Sequence, residues 1–344
     1  MRGALQVGIE QIEVHDVPAP EPGDEMALVK VRAAGICGSD LHPYRLRSKP
    51  ISVPEGHEVG GEVVSLPSSY VGPIRAGDLV AVDTLCWGVA CGTCPICQSG
   101  NPLHCAVRIA TTNWGGGFAE ALKIKPAGLF RLPPGLTAEQ GALVEPFTIG
   151  VHAMRYAKVP PGASVVVVGA GTIGLMMLLA ARAMGAGPVH VLARHPHQAA
   201  LAEELGAASV IQSDSADAVE QVRAVTGGGA DVVVETVGGL NNTVDLSFDL
   251  ARRQGLVIVL GIFPKQTPVN LLRAVDRELW AVFPDCYGTS DGRADFDVAI
   301  DLIAAGKAPV ERLVTHRFPL ESAPEAFRTA LDKSTGSIKV HLIP

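Results

Sequence analysis

At 344 residues the chain exceeds the size at which one hydrophobic core usually stops growing, so two domains are expected. Hydrophobic residues at 47% against 18% charged, with 38 Gly and 25 Pro, exclude the disordered and fibrous classes and indicate a turn-rich globular chain. A net charge of -7 with no Lys/Arg block leaves no basic footprint for nucleic acid and points to a small-molecule partner.

In chain order, residues 1–10 carry one Arg but neither a long apolar stretch nor a small-residue cleavage site, so no signal peptide is expected and the address is cytoplasmic. Up to about Pro134, short Val/Ile-rich runs at 27–31, 60–64 and 78–82 alternate with Pro and Gly, which predicts an irregular β-rich domain of antiparallel strands. From Gly162 the rhythm changes. Strands at 164–168, 189–192 and 209–211 alternate with helices after Thr172 and over 197–205, and further strands follow at 231–235, 255–260 and 279–283. Six such strands predict a doubly wound parallel sheet. Residues 163–181 carry no charge and approach the ~20 apolar residues of a membrane span. Four consecutive valines at 165–168, followed by Gly-Ala-Gly, instead read as a buried strand turning into a helix, and no membrane association is expected. Amphipathic helices at 295–305 and 322–331 precede a short apolar end that returns to the first domain. The expected division is 1–150 with 288–344 for the β-rich catalytic domain, and 151–287 for the parallel-sheet domain.

Seven cysteines in a chain of cytoplasmic type are poor disulfide candidates. Cys91-x2-Cys94-x2-Cys97-x7-Cys105 places four thiolates in fifteen positions with Gly and Pro between them, which suits a tight loop around one closed tetrahedral Zn(II). A redox pair on Cys94 and Cys97 would leave Cys91 and Cys105 unexplained, and the spacing differs from the common iron–sulfur runs. Cys86 and Cys286 have no partners by spacing and read as buried small hydrophobes.

Outside that cluster, Cys37 in Gly-Ile-Cys-Gly-Ser-Asp-x-His (35–42) and Gly-His-Glu (56–58) offer a thiolate, an imidazole and a carboxylate, and composition alone does not bring them together. With the four-Cys lobe, Gly-Gly-Phe-Ala-Glu at 116–120, Val-Glu-Pro at 144–146 and a later Gly-x-Gly-x-x-Gly, these motifs in this order resemble the zinc-containing medium-chain alcohol dehydrogenases. They resemble most closely the sorbitol and threonine dehydrogenase branch, because Glu145 stands where other members place a third zinc-binding cysteine. The resemblance spans nearly the whole chain. It implies a GroES-like catalytic domain beside a Rossmann domain, and two zinc ions per chain, one catalytic and one structural. Cys37 and His57 would be ligands of the catalytic ion. Glu58 and Glu145 share the carboxylate position, with the choice between them open; such a set leaves one coordination position for substrate. The implied reaction is hydride transfer between a secondary alcohol or polyol and a nicotinamide. The zinc polarises the alcohol oxygen, and Ser39 and His42 carry the proton toward solvent. Asp40 is expected to orient His57 or the loop. The aromatics of 114–118 can wall a pocket, although packing is their commoner use, and Glu120 has no assigned role. Dimers or tetramers are the implied assemblies.

Gly169-x-Gly171-Thr172-Ile173-Gly174 follows a predicted strand and opens a helix, the context that makes this motif a dinucleotide site. About 20 residues on, where NAD-binding units place a carboxylate for the ribose 2′-hydroxyl, stands Arg194 after Ala193. A guanidinium there can bind a 2′-phosphate, so NADP(H) is expected over NAD(H), with His195 and His197 assisting. The rival readings are a zinc-free quinone or enoyl reductase of the same superfamily, and a nonenzymatic nucleotide-binding redox sensor; Cys37, His57 and Glu145 count against both.

Overall fold

The Val-rich runs of the N-terminal third do form short strands, in a computed structural model whose described residues are 1–109 and 115–344. The chain divides into two units, one of 1–146 with 286–304 and 310–344, the other of 147–285 with 305–309. The first opens with a hairpin, β1 (Arg2–Gly8) and β2 (Gln11–Asp16), and continues through β3 (Ala27–Gly35), α1 (Gly38–Leu46), β4 (Glu58–Ser65), β5 (Leu79–Asp83), α2 (Pro95–Gln98), β6 (Ala121–Ile124) and β7 (Leu129–Arg131) to α3 (Ala138–Tyr156), whose residues from 147 on are counted with the second unit. The second holds β8 (Val165–Val168), α4 (Thr172–Ala183), β9 (Val189–Ala193), α5 (Pro196–Glu204), β10 (Ser209–Gln212), α6 (Ala218–Thr226), β11 (Ala230–Glu235), α7 (Thr243–Leu250), β12 (Ala251–Val259), α8 (Leu271–Val275) and β13 (Trp280–Val282). The chain then returns to the first unit with the hairpin β14 (Thr289–Ser290) and β15 (Arg293–Ala294), α9 (Asp295–Ala304), β16 (Val314–Pro319), α10 (Ala323–Leu331) and β17 (Lys339–Ile343).

In the first unit the sheet order is β16-β17-β3-β4-β5-β7, with β6 also on β3. β3 pairs with β4 along its length, with two register shifts, while its first half also pairs with β6 and its last residues, Ala34 and Gly35, pair with β17. The expected return of the C-terminus is thus a strand laid beside the segment that leads into Cys37. Alternate residues Val29, Val31, Val59, Val80, Val82, Leu122 and Ile124 fill the core, and α10 covers it with Ala323, Ala326, Phe327 and Ala330. Phe327 lies 5.2 Å from Tyr44 and 5.3 Å from Phe118, ring to ring, a cluster in which each aromatic contributes about 2–3 kcal/mol by burial. Phe118 is therefore a core residue; Trp114 lies outside the described residues.

The second unit is a six-stranded sheet ordered β10-β9-β8-β11-β12-β13, parallel at every pairing. All four valines of β8 are buried, as a strand covered on both faces requires. The uncharged stretch 163–181 is this strand plus most of α4, and among the described residues no helix is long and apolar enough to cross a membrane.

Candidate active site and metal centres

In the first unit three strand ends converge. Gly35 at the end of β3 stands opposite Glu58, the first residue of β4, and Glu58 stands opposite Asp83, the last of β5. Glycine is required at 35, since a Cβ there would lie 1.9 Å from Glu58 Oε2. Cys37 caps α1 directly after β3, His57 directly precedes β4, and one ligand atom from each of Cys37, His57 and Glu58 lies within 4.8 Å of the others. The motif residues at 35–42 and 56–58 are thereby brought together, with Glu145 outside this trio. Glu145 is 4% exposed on α3; burial pushes its carboxyl up to about 8, Glu58 and Asp83 adding to the rise while His57 and Lys339 oppose it.

Asp40 fixes this corner. Its Oδ2 accepts from Cys37 N at 2.8 Å, and its Oδ1 lies 3.6 Å from His57 Nδ1, which leaves Nε2 on the other side of the ring. Burial pulls the His57 imidazole down, but the charges and hydrogen bonds of Asp40 and Cys37 outweigh it and raise it well above its usual value. Ser39 Oγ lies 3.5 Å from His57 Nε2. Ser39 and His57, with Thr84 and Leu85, line a cavity of about 450 Å³, whereas His42 is exposed on α1 and is not among the residues that line it. Glu120 is likewise exposed, and its Oε2 accepts from Arg2 N at 2.8 Å, a tie between strands away from the cavity.

Sequence reasoning missed Lys339. It is 1% exposed on β17, and its Nζ donates to Glu58 Oε1 at 2.6 Å, to Oε2 at 2.7 Å and to Ile36 O at 3.0 Å. Burial pulls the Lys339 ammonium down, and the Glu58 and Cys37 charges more than reverse this. The available signal was a lysine in the last strand, flanked by apolar residues, whose partner is 281 positions away.

Asp83, also buried, starts the turn toward the cysteine lobe by accepting from Leu85 N, Cys86 N and Trp87 N at 2.6 to 3.0 Å. In the lobe the sulfurs of Cys91 and Cys94 each stand 3.5 to 4.0 Å from those of Cys97 and Cys105. A regular tetrahedron of Zn–S bonds near 2.3 Å has edges of about 3.8 Å, so the sulfurs fit a Zn(II) ion. Main-chain N–H groups of Thr93 and Cys94 bring the Cys91 thiol down to about 5, while burial and neighbouring thiols push Cys97 up to about 12. A divalent cation is what such a crowd of thiolates needs. Elsewhere in the unit Cys86 is buried as expected, but Cys286 is half-buried, and the two thiols are neighbours. Burial, with Cys286 adding to it, raises the Cys86 thiol.

In the second unit, β8 enters its turn at Gly169 with φ +101, a conformation that favours glycine. A Cβ on Gly174 would meet Gly169 O at 1.9 Å, whereas one on Gly171 would meet nothing within 4 Å. Tight turn, open approach and close helix packing are the three needs of a pyrophosphate site, and the N-cap of α4 is Gly171, which has no side chain to occupy the approach, ahead of Thr172 and Ile173. Gly169, Gly171, Arg194, His195 and Asp214 line a cleft of about 430 Å³. Arg194 is exposed at the end of β9, and its carbonyl accepts from Gln212 Nε2, which also donates to Asp214 Oδ1. His197 stacks on His195 at 5.6 Å. Asp214, a carboxylate in the cleft, was not singled out in the sequence.

Two family models match the chain: the alcohol dehydrogenase GroES-like domain over residues 23–134 and the zinc-binding dehydrogenase domain over 172–305. The chain is 33% identical to sorbitol dehydrogenase of Bacillus subtilis (strain 168), covering 100% of this chain and 97% of that one. It superposes on the 2R,3R-butanediol dehydrogenase of Bacillus subtilis with a TM-score of 0.86 at 28% identity, covering 100% and 99% of the two chains. A zinc-binding dehydrogenase of Sinorhizobium meliloti 1021, solved bound to NADP, superposes with a TM-score of 0.86 at 31% identity over the same shares. The strand-end trio, the cysteine lobe, the glycine turn and these matches agree: the chain belongs to the zinc-containing medium-chain alcohol dehydrogenase family, in its sorbitol dehydrogenase-like branch.

Proposed function

We propose that this dehydrogenase transfers a hydride between a secondary alcohol or polyol and NADP(H), with NAD(H) as the weaker cofactor, and that it carries two zinc ions. The observation that carries the reading is the convergence of Cys37, His57 and Glu58 beside a cavity. Zinc held there supplies a Lewis acid that polarises the alcohol oxygen. Cys37, His57 and Glu58 are the ligands. Glu58 has about four lone-pair sites, of which Lys339 takes two, so it retains capacity for a metal. Glu145, buried on α3, stands by as the alternative carboxylate. Asp40 orients His57, Ser39 receives the substrate proton, and His42 on the exposed face of α1 passes it to solvent. Cys91, Cys94, Cys97 and Cys105 hold the structural ion.

Gly169, Gly171, Thr172, Ile173 and Gly174 cradle the pyrophosphate. Arg194, aided by His195, favours a 2′-phosphate, and Asp214 in the same cleft opposes that preference. The enzyme works in the cytoplasm, where its thiols stay reduced, as a homodimer or homotetramer. The edge strand β13 supports assembly: Trp280 and the adjacent Phe283 are exposed by 72% and 67%, an apolar edge fit to pair with its own copy.

The test is absorbance at the reduced-nicotinamide band with a panel of secondary alcohols and polyols, each with NAD and NADP. Turnover that is faster with NADP and lost on chelation supports the reading. Equal or tighter binding of NADH than NADPH removes the cofactor preference, and absence of turnover across the panel in zinc-loaded protein that binds NADPH removes the substrate class.

A further inference from the structure

Glu235 ends β11 with its side chain fully buried, 0% exposed, next to the nucleotide cleft but not lining it. Among the described residues, the hydrogen-bond partners of its carboxylate are donors. Oε1 accepts from Val237 N at 2.8 Å, Gly238 N at 2.9 Å and Thr243 Oγ1 at 2.7 Å, and Oε2 accepts from Gly261 N at 3.2 Å. These donors belong to two segments, one running from β11 into α7 and the other leaving β12. Gly239 N donates to Ile262 O at 2.8 Å and Leu260 N donates to Glu235 O at 2.8 Å, so the two segments are zipped together around the carboxylate. Two glycines make room for this. A Cβ on Gly261 would lie 2.2 Å from Glu235 Oε2, and Gly238, at φ +59, would strike the Ile262 main chain at 2.6 Å.

A buried carboxylate is costly unless its lone pairs are met, and bonds from main-chain N–H groups to a charged acceptor are strong and directional. Here they fix the main chain of 237–238 and of 261. Thr236, Val237, Asn241 and Thr243 from the first of these segments line the cleft. In a doubly wound sheet the dinucleotide straddles the strand ends, its adenosine half over the half-sheet that carries the glycine turn, here β8 to β10, and its other half over β11 to β13.

We propose that Glu235 is a positioning residue for the nicotinamide half of the cofactor, holding the segments after β11 and β12 in place without touching the nucleotide. This rests on the dinucleotide reading above. The test compares Glu235→Gln and Glu235→Asp with the unaltered enzyme by calorimetric titration of NADPH, NADH and ADP-ribose, the last lacking the nicotinamide. A Gln amide places an NH2 group against a donor, so Glu235→Gln is expected to weaken the favoured dinucleotide about tenfold or more and ADP-ribose, which shares only part of the cleft with the held segment, severalfold less. Glu235→Asp keeps the charge on a shorter arm and is expected to recover part of the loss; it also serves if the Gln variant does not fold. Equal weakening of dinucleotide and ADP-ribose would mark a merely structural role and overturn the proposal, as would no change in either. If the unaltered enzyme binds ADP-ribose and both dinucleotides not at all, the dinucleotide reading itself fails, and this proposal with it.

Discussion

The two candidate metal centres of the first unit are built in opposite ways. The cysteine lobe takes all four sulfurs from one stretch, 91–105, and closes on itself with its own main-chain N–H groups. The Cys37, His57 and Glu58 centre draws on two strand ends, and depends for its charge balance on Lys339 from the far end of the chain. A closed set of like ligands has nothing left for substrate, whereas a mixed set beside a cavity does. Stability is thus expected to reside in the first centre and chemistry in the second.

Matched substitutions can break that contrast. Cys37→Ser removes a ligand of the open centre, and turnover is expected to fall more than about 1,000-fold with little change in Tm, because polarisation of the alcohol is worth several kcal/mol. Cys94→Ser is expected to lower Tm by on the order of 5–10 °C, read by calorimetry, with a smaller effect on turnover in the protein that remains folded. Comparable activity losses in both variants would dissolve the distinction. Lys339→Met probes the charge support of the open centre: it strands Glu58 as a buried, unpaired carboxylate, and denaturant unfolding of the metal-free protein should show a loss of about 3–5 kcal/mol.

A smaller effect is expected at a half-exposed pair. His341, 3.8 Å away and beyond hydrogen-bond reach, and Arg317 at 2.6 Å together hold Glu139 down at about 2. Burial lowers the pKa of His341, so near neutral pH Arg317 is the charged partner. A depressed folded-state carboxyl gives stability that is present above its unfolded value, near 4.5, and is lost as pH falls toward 2. With Glu139 and Arg317 36% and 50% exposed, solvent screening limits this to about 1 kcal/mol or less. Glu139→Gln should therefore cost up to about 1 kcal/mol above pH 4.5, flatten the acid limb of stability between about pH 4.5 and 2, and change nothing below that; an unchanged acid limb would show that the pair contributes nothing.

The same contrast explains what the sequence made legible. Local patterns spoke plainly. The Cys91–Cys105 spacing, the valines of β8 with their glycine turn, and the alternation of strands and helices from 162 onward all keep their meaning within a few residues. Long-range pairings did not. Cys37 and His57 carried weight only through resemblance, and Lys339 was invisible because its partner lies 281 residues away. Helix α3 escaped notice because Gly141, Pro146 and Gly150 punctuate it; burial of Leu143, Val144, Phe147 and Val151 overrides those residues' poor helical propensity. Asp214 and Glu235 likewise gave no local sign, since their roles depend on what the parallel sheet brings beside them.

The most direct test of the two-centre account is zinc analysis of the purified enzyme beside its Cys37→Ser variant. Two zinc ions per chain falling to one in a folded, inactive variant is the predicted result. One zinc per chain in the unaltered, active enzyme, or two retained in Cys37→Ser, would contradict it.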